Sequence, residues 1–151
     1  MKAAVVTPQG VQLQDVPVPK PSATQVLMCV YATGLNRADL TVAAGQAHGS
    51  TGGAGTIVGM EFAGEVAALG TQVKSAKPGD RVMGSGSATY AEYAVTDWGR
   101  VHPMPREDMS CTEAATLPIA LQTMHNALIT IGGLKRGENV LIQGASSDIP
   151  W

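Results

Sequence analysis

The sequence predicts a mainly β domain of the α+β class, with two or three short helices and, near its C-terminus, the first strand of a second unit. Two observations support this. Glycine and proline are abundant, with 18 and 9 among 151 residues, and they separate short apolar or alternating segments of strand length. The chain is 44% hydrophobic but only 4% aromatic, so its core should consist mainly of aliphatic side chains and methionine.

The predicted strands lie mostly in the first two thirds of the chain. Residues 11–16 alternate polar and apolar side chains, which is typical of a half-buried strand. The prolines of residues 16–21 favour extended chain at a sheet edge. The strands are predicted at residues 2–6, 11–16, 25–33, 62–69, 81–83 and 89–95, and a short segment bounded by proline follows at residues 100–104.

The helices are marked by capping residues. Asn36 is a favourable N-cap for a helix through residue 44, and Gly45 would end it. Ser110 and Glu113 have the spacing of a capping box. A longer helix is predicted from about residue 118, because apolar residues then recur at mostly helical spacing.

The last segment has a different character. Residues 139–143 form an apolar strand that runs into a turn of small residues, Gly144, Ala145 and Ser146. Such a strand and turn open a dinucleotide-binding βαβ unit, in which backbone N–H groups face a pyrophosphate. We therefore expect these three residues to contact a cofactor.

Composition excludes several classes of function. The net charge is −2 and no basic stripe is present, which argues against nucleic-acid binding. No apolar run has the length of a membrane span, and the N-terminus does not have the pattern of a signal peptide. The two cysteines lack metal or redox spacing, so a reducing, cytoplasmic setting is expected.

Six short motifs occur in a characteristic order, and together they carry a resemblance over residues 1–147. The chain resembles the quinone oxidoreductase and zeta-crystallin branch of the medium-chain dehydrogenases. The motifs are Gly34-Leu35-Asn36-Arg37-Ala38-Asp39, Gly59-Met60-Glu61-Phe62-Ala63-Gly64, Pro78-Gly79-Asp80-Arg81-Val82, Tyr90-Ala91-Glu92-Tyr93, Glu113-Ala114-Ala115-Thr116-Leu117-Pro118 and the segment 140–147.

The resemblance implies a division into three parts. Residues 1–117 would form a GroES-like substrate domain, a partly open β-barrel. Residues 118–137 would be a connecting helix and turn, and residues 138–151 the start of a truncated Rossmann domain. Members of this branch transfer a hydride from NADPH to a quinone or an α,β-unsaturated carbonyl, and the full-length form is expected to be a homodimer.

The resemblance also implies that no metal is used. Zinc-dependent relatives have a cysteine at the position of Asn36 and a histidine at that of Met60. An amide and a thioether are poor zinc ligands, and the cysteines of a structural zinc loop are missing. Asn36 has two interpretations: a helix cap, or a side-chain amide that faces nicotinamide and substrate. The two roles are compatible.

Three further residues keep two interpretations each. Thr123 matches a position whose hydroxyl lies near the nicotinamide carboxamide, but a helical threonine can instead bond a preceding carbonyl. Thr41 stands where the family often has a tyrosine, so it is a weak candidate for a catalytic or substrate contact, and solvent could supply the proton. Glu61 and Asp39 could be a general-base pair, although the preferred interpretation is that each orients a loop by accepting backbone hydrogen bonds.

The resemblance stops at residues 148–150, where Asp-Ile-Pro replaces the glycines expected at a phosphate-binding turn. We therefore expect a truncated chain that is inactive alone, binds NADPH weakly at most and self-associates through its C-terminal strand. The alternative is a standalone GroES-like module for binding or assembly, without catalysis. The strand at residues 139–143 would distinguish them, because a self-contained barrel does not need it.

Overall fold

A computed structural model describes residues 1–143 and shows two antiparallel sheets. Strands β1 and β2 form a hairpin, and the other five strands form a sheet in the order β6-β3-β4-β5-β7. The strands are β1 Lys2–Thr7, β2 Gly10–Asp15, β3 Gln25–Thr33, β4 Glu61–Leu69, β5 Arg81–Ser85, β6 Tyr93–Asp97 and β7 Val101–Pro103. The helices are α1 Arg37–Ala43, α2 Cys111–Ala114 and α3 Pro118–His125.

The five-stranded sheet curls into a half-barrel. Its central pair, β3 and β4, has two register shifts, and such irregularities bend and twist a sheet locally. The hairpin is bound through β1 to the segments that precede β4 and β6. The Ala4 N–H donates to the carbonyl of Tyr90 and the Val6 N–H to that of Thr56, both at 2.8 Å. The expected mainly β, partly open barrel is confirmed.

The barrel core is mainly aliphatic, as the composition predicts, with one methionine and one phenylalanine among buried valines and alanine. Phe62, the single phenylalanine of the chain, is fully buried between side chains from neighbouring strands. A second cluster, formed by Ala63, Met83, Ala114 and Ala115, packs α2 against β4 and β5. This packing fixes the point at which the chain leaves the barrel and begins α3.

The capping box at α2 forms as the sequence predicts. The Glu113 N–H donates to the Ser110 hydroxyl at 3.1 Å, and the Ser110 N–H donates to Glu113 Oε2 at 2.9 Å. The backbone and hydroxyl hydrogen bonds from Ser110 lower the pKa of the Glu113 carboxyl. The box therefore fixes the start of the helix that precedes α3.

Two strand predictions need correction. The strand predicted at residues 89–95 begins only at Tyr93, because the backbone N–H groups of Thr89 and Tyr90 bond the carbonyls of Gly59 and Val58, which are outside the sheet. The strand predicted at residues 139–143 does not form, and Leu141 is 96% exposed. No strand among residues 1–143 pairs with that segment, so it has no hydrogen-bonding ladder.

The helix predicted from residue 118 also differs in part. It is α-helical to His125 and continues as a π-helical turn at Asn126–Ile131. Within residues 1–143, none of the helices is long and apolar enough to span a bilayer.

Candidate functional site

Asn36 lies where β3 gives way to α1, at the N-cap position. Its backbone N–H donates to Asp39 Oδ2 at 2.8 Å. Its side-chain Nδ2 donates to Glu61 Oε1 at 2.7 Å. Asn36 therefore occupies the predicted N-cap position of α1, and its side-chain amide is hydrogen-bonded to the Glu61 carboxylate of β4.

Glu61 is the first residue of β4 and is only 4% exposed. Its second oxygen, Oε2, accepts the backbone N–H of Ile119 at 2.9 Å. Ile119 is in the first turn of α3, where free N–H groups and the helix dipole favour a negative group. One carboxylate thus joins the start of α1 to the start of α3.

The backbone around Glu61 is also restrained. Its carbonyl oxygen accepts hydrogen bonds from the hydroxyls of Thr33, at 2.6 Å, and Thr89, at 3.0 Å. Gly34 allows the close approach of these segments, because a β-carbon there would overlap the Glu61 carboxylate and the carbonyl oxygen of Ala115. Three other segments, at residues 33–36, 89 and 115–119, therefore meet β4 at Glu61.

Asp39 forms a second buried carboxylate beside this group, with 6% exposure. The hydroxyl of Tyr90 donates to Asp39 Oδ2 at 2.7 Å. Burial, followed by the hydrogen bond and charge of Asp39 and the charge of Glu61, raises the pKa of the Tyr90 phenol. Asp39 Oδ1 is buried and has no hydrogen-bond partner among the described residues.

Both carboxylates thus accept backbone N–H groups, as the preferred interpretation expected: Asp39 from Asn36, and Glu61 from Ile119. The sequence did not indicate that Glu61 would also hold the Asn36 side chain.

A groove of about 870 Å³ runs between β5 and α3. Its walls combine apolar side chains with polar groups from the helix and the sheet. Thr123 lines it and is half-buried, and within residues 1–143 its hydroxyl has no hydrogen-bond partner. The Thr123 hydroxyl is therefore not bonded to a preceding carbonyl. Other lining residues are Met60, Met83, Ser85, Leu121 and Gln122.

The predicted site residues are only partly brought together. Met60 and Thr123 line the same groove, and Asn36 is connected to its wall through Glu61 and the Ile119 N–H. Thr41 lies on α1, half-buried, and does not line the groove. The predicted cofactor contacts Gly144, Ala145 and Ser146 lie outside the described residues.

Three features of the site were missed by sequence reasoning. Tyr90 was assigned to a strand, although its hydroxyl bonds Asp39. Gln122 Oε1 accepts the Ser85 hydroxyl at 3.1 Å, which ties α3 to β5. Ala88 has a positive φ of 62°, a conformation that is uncommon without glycine. Only the Tyr90 motif offered a signal in the sequence.

Metal-binding groups are dispersed in this part of the protein. Across residues 1–143, no three histidine, cysteine or acidic side chains are grouped so that they could hold a metal ion. Cys29 and Cys111 are both free thiols.

The partly open barrel, together with the groove beside the helix that leaves it, defines a GroES-like domain of the medium-chain dehydrogenase/reductase fold. Comparison with known families agrees, since residues 22–106 match the alcohol dehydrogenase GroES-like domain. The chain belongs to this family of oxidoreductases.

Individual proteins that the chain resembles include a polyketide synthase and two reductases. The low-reducing polyketide synthase drtA of Aspergillus calidoustus is 34% identical over 131 residues, which are 87% of this chain and 5% of that protein. The quinone oxidoreductase of Coxiella burnetii has a TM-score of 0.73 and 28% identity over 90% of this chain and 45% of its own. The CurK enoyl reductase has a TM-score of 0.74 and 28% identity over 83% of this chain and 41% of its own.

The chain therefore spans less than half of the two solved reductases and a small part of the synthase.

Proposed function

We propose that this chain is the substrate-domain half of a zinc-independent, NADPH-dependent reductase. Its substrate would be a conjugated carbonyl compound, either an α,β-unsaturated carbonyl or a quinone. The family and the two similar reductases, one of quinones and one of enoyl groups, support this class of reaction. The hydride would be added to a carbon conjugated to the carbonyl, and a proton would complete the reduction.

The observation that carries this proposal is the contact between Asn36 and Glu61. By the resemblance described above, Asn36 and Met60 would occupy the positions at which zinc-dependent relatives have a thiolate and an imidazole. Asn36 Nδ2 donates to a buried carboxylate, and the thioether of Met60 lines the groove. These groups suit hydrogen bonding and packing better than zinc ligation. A conjugated carbonyl is already electrophilic, so it does not require a Lewis acid.

The polar groups of the groove also fit a nicotinamide. A carboxamide needs both donors and acceptors, and the Thr123 hydroxyl can serve as either. That hydroxyl has no partner among the described residues and lies in the groove. Asn36 retains one side-chain N–H beyond its bond to Glu61. When bound, the dinucleotide would supply the hydride.

The chain's own residues would orient the reactants and limit access of water. Thr123 would hold the carboxamide, while Met60, Met83 and Leu121 form apolar wall around it. Thr41 stands where the resemblance places a tyrosine, but it does not line the groove, and a threonine hydroxyl is a weak acid at neutral pH. Solvent would therefore deliver the proton to the substrate enolate.

The test is Thr123→Val in the complete reductase, which preserves shape but removes the hydroxyl. Loss of a hydrogen bond worth about 1–2 kcal/mol should reduce NADPH affinity or turnover roughly five- to thirtyfold. Steady-state kinetics with NADPH and an enone or quinone would measure it. Thr112→Val, at an exposed position of α2, is the matched control. Unchanged kinetics for Thr123→Val would leave Thr123 with a structural role only.

A further inference from the structure

The hydrogen bond between Asn36 and Glu61 selects one orientation of the Asn36 amide. A carboxylate only accepts hydrogen bonds, so the Asn36 NH₂ group must face it rather than the carbonyl oxygen. The bond joins Nδ2 to Glu61 Oε1 at 2.7 Å. The second amide hydrogen of Asn36 is then left for other contacts, while Oδ1 lies on the side of the Asp39 N–H at the start of α1.

Glu61 is itself held too firmly to turn away from Asn36. Its Oε2 accepts the Ile119 N–H at 2.9 Å, and hydroxyls from Thr33 and Thr89 bond its backbone carbonyl. The side chain is buried, so neither oxygen can exchange its protein partner for bulk water without a change in the structure. The carboxylate thus behaves as a fixed acceptor.

We propose that Glu61 is a positioning residue, which sets the orientation of the Asn36 amide and links it to α3, the helix that carries Thr123. The role of Asn36 toward the nicotinamide and substrate rests on the proposed function. The positioning contact itself does not, because it is a property of the 151-residue chain.

The substitution Glu61→Gln keeps the shape of the side chain but changes which hydrogen bonds it can form. Its side chain is nearly isosteric with glutamate but has one acceptor oxygen and one NH₂ group. Two donors, Asn36 Nδ2 and the Ile119 N–H, converge on the two oxygens of Glu61. Glu61→Gln therefore places an NH₂ group opposite one of these donors, or forces the Asn36 amide to turn over.

The experiment observes the side-chain amides directly in the 151-residue chain. The sequence contains three asparagines, Asn36, Asn126 and Asn139, so selective ¹⁵N labelling gives three pairs of side-chain amide signals. Asn126 and Asn139 are exposed. We expect an Asn36 amide proton to exchange with solvent at least tenfold more slowly than theirs, a measurement that needs no variant.

Glu61→Gln should shift or split the Asn36 signals and remove most of this protection. Glu65→Gln is the matched control, because Glu65 is on the same strand but accepts a hydrogen bond from Tyr31 instead. It should leave the Asn36 signals unchanged. Equal exchange of all three asparagines in the unmodified chain, or identical Asn36 signals in Glu61→Gln, would overturn the proposal.

The complete reductase supplies the functional measurement. Glu61→Gln should lower kcat at least tenfold, since a small misplacement of a reacting group costs that much or more, with a smaller change in the KM for NADPH. Glu65→Gln should leave both parameters unchanged. An unaltered kcat in Glu61→Gln would contradict the positioning role. Absence of reductase activity in the unmodified protein would instead contradict the proposed function, and the amide signals would be unaffected.

Discussion

Strand β3 and the segment at residues 139–143 are both apolar, yet only one of them forms a strand. β3 pairs with β4 on one side and β6 on the other, and its Val26 and Met28 are fully buried. The later segment has no paired neighbour among the described residues, and Leu141 is 96% exposed. An apolar sequence thus indicates what could be buried, whereas the presence of partner strands decides whether it is.

The largest expected difference is in unfolding free energy, between residues 139–143 and the core in which Phe62 of β4 packs with Val26 and Met28 of β3. Phe62→Ala should destabilise the barrel by about 3–5 kcal/mol, because it removes a fully buried aromatic ring from a packed core. Leu141→Ala should change stability by less than about 0.5 kcal/mol, as for most exposed positions. Urea denaturation followed by circular dichroism measures both. Similar losses would show that residues 139–143 are packed against the barrel.

Side-chain contacts across the site should give an intermediate effect. Tyr90→Phe removes the donor to Asp39 Oδ2, whose companion Oδ1 already lacks a partner among the described residues. We expect a loss of about 1–2 kcal/mol at neutral pH. Tyr93→Phe, a half-buried tyrosine of β6, is the control and should have a smaller effect.

The Tyr90 effect should also depend on pH. Burial and Asp39 raise the pKa of the phenol in the folded chain, so folding favours the protonated form. The stabilisation should be complete below the unfolded pKa of about 10 and should decline as the pH rises through the folded value. Denaturation of both proteins between neutral and strongly alkaline pH would test this. A difference that grows with pH would contradict it.

The local parts of the fold could be predicted from the sequence, and the contacts of the site could not. β3 and the capping box at α2 follow from apolar patterning and from residues three positions apart. The bond from Asn36 to Glu61 spans 25 positions, and that from Ile119 to Glu61 spans 58. Their formation depends on how β4 is placed beside both helices, which no local pattern specifies.

Contacts between distant residues also explain why β6 begins at Tyr93 and not at residue 89. Residues 89–95 alternate as a strand would, but Thr89 and Tyr90 direct their hydroxyls to Glu61 and Asp39. Ala88, with its positive φ, comes immediately before Thr89. Tertiary hydrogen bonds therefore override the local preference for a strand, and they do so at the candidate site.

The exposed apolar residues near the C-terminus should have the smallest effect on stability. They should instead affect association between copies of the chain. Val140, Leu141 and Ile142 are between 43% and 96% exposed, and burying such a side chain is worth about 1.5–3 kcal/mol. Contact between two copies would bury several of them at once, so association should increase with protein concentration. Replacing all three by serine should raise the monomer fraction in light scattering and sedimentation, while the unfolding free energy changes by less than about 0.5 kcal/mol.

Leu13→Ser, which alters a 71% exposed leucine on β2, is the control. An equal monomer fraction in the triple variant and the unmodified chain would mean that these side chains do not drive association. If Leu13→Ser had the larger effect, the contact would instead involve the hairpin, and the barrel would be the associating region.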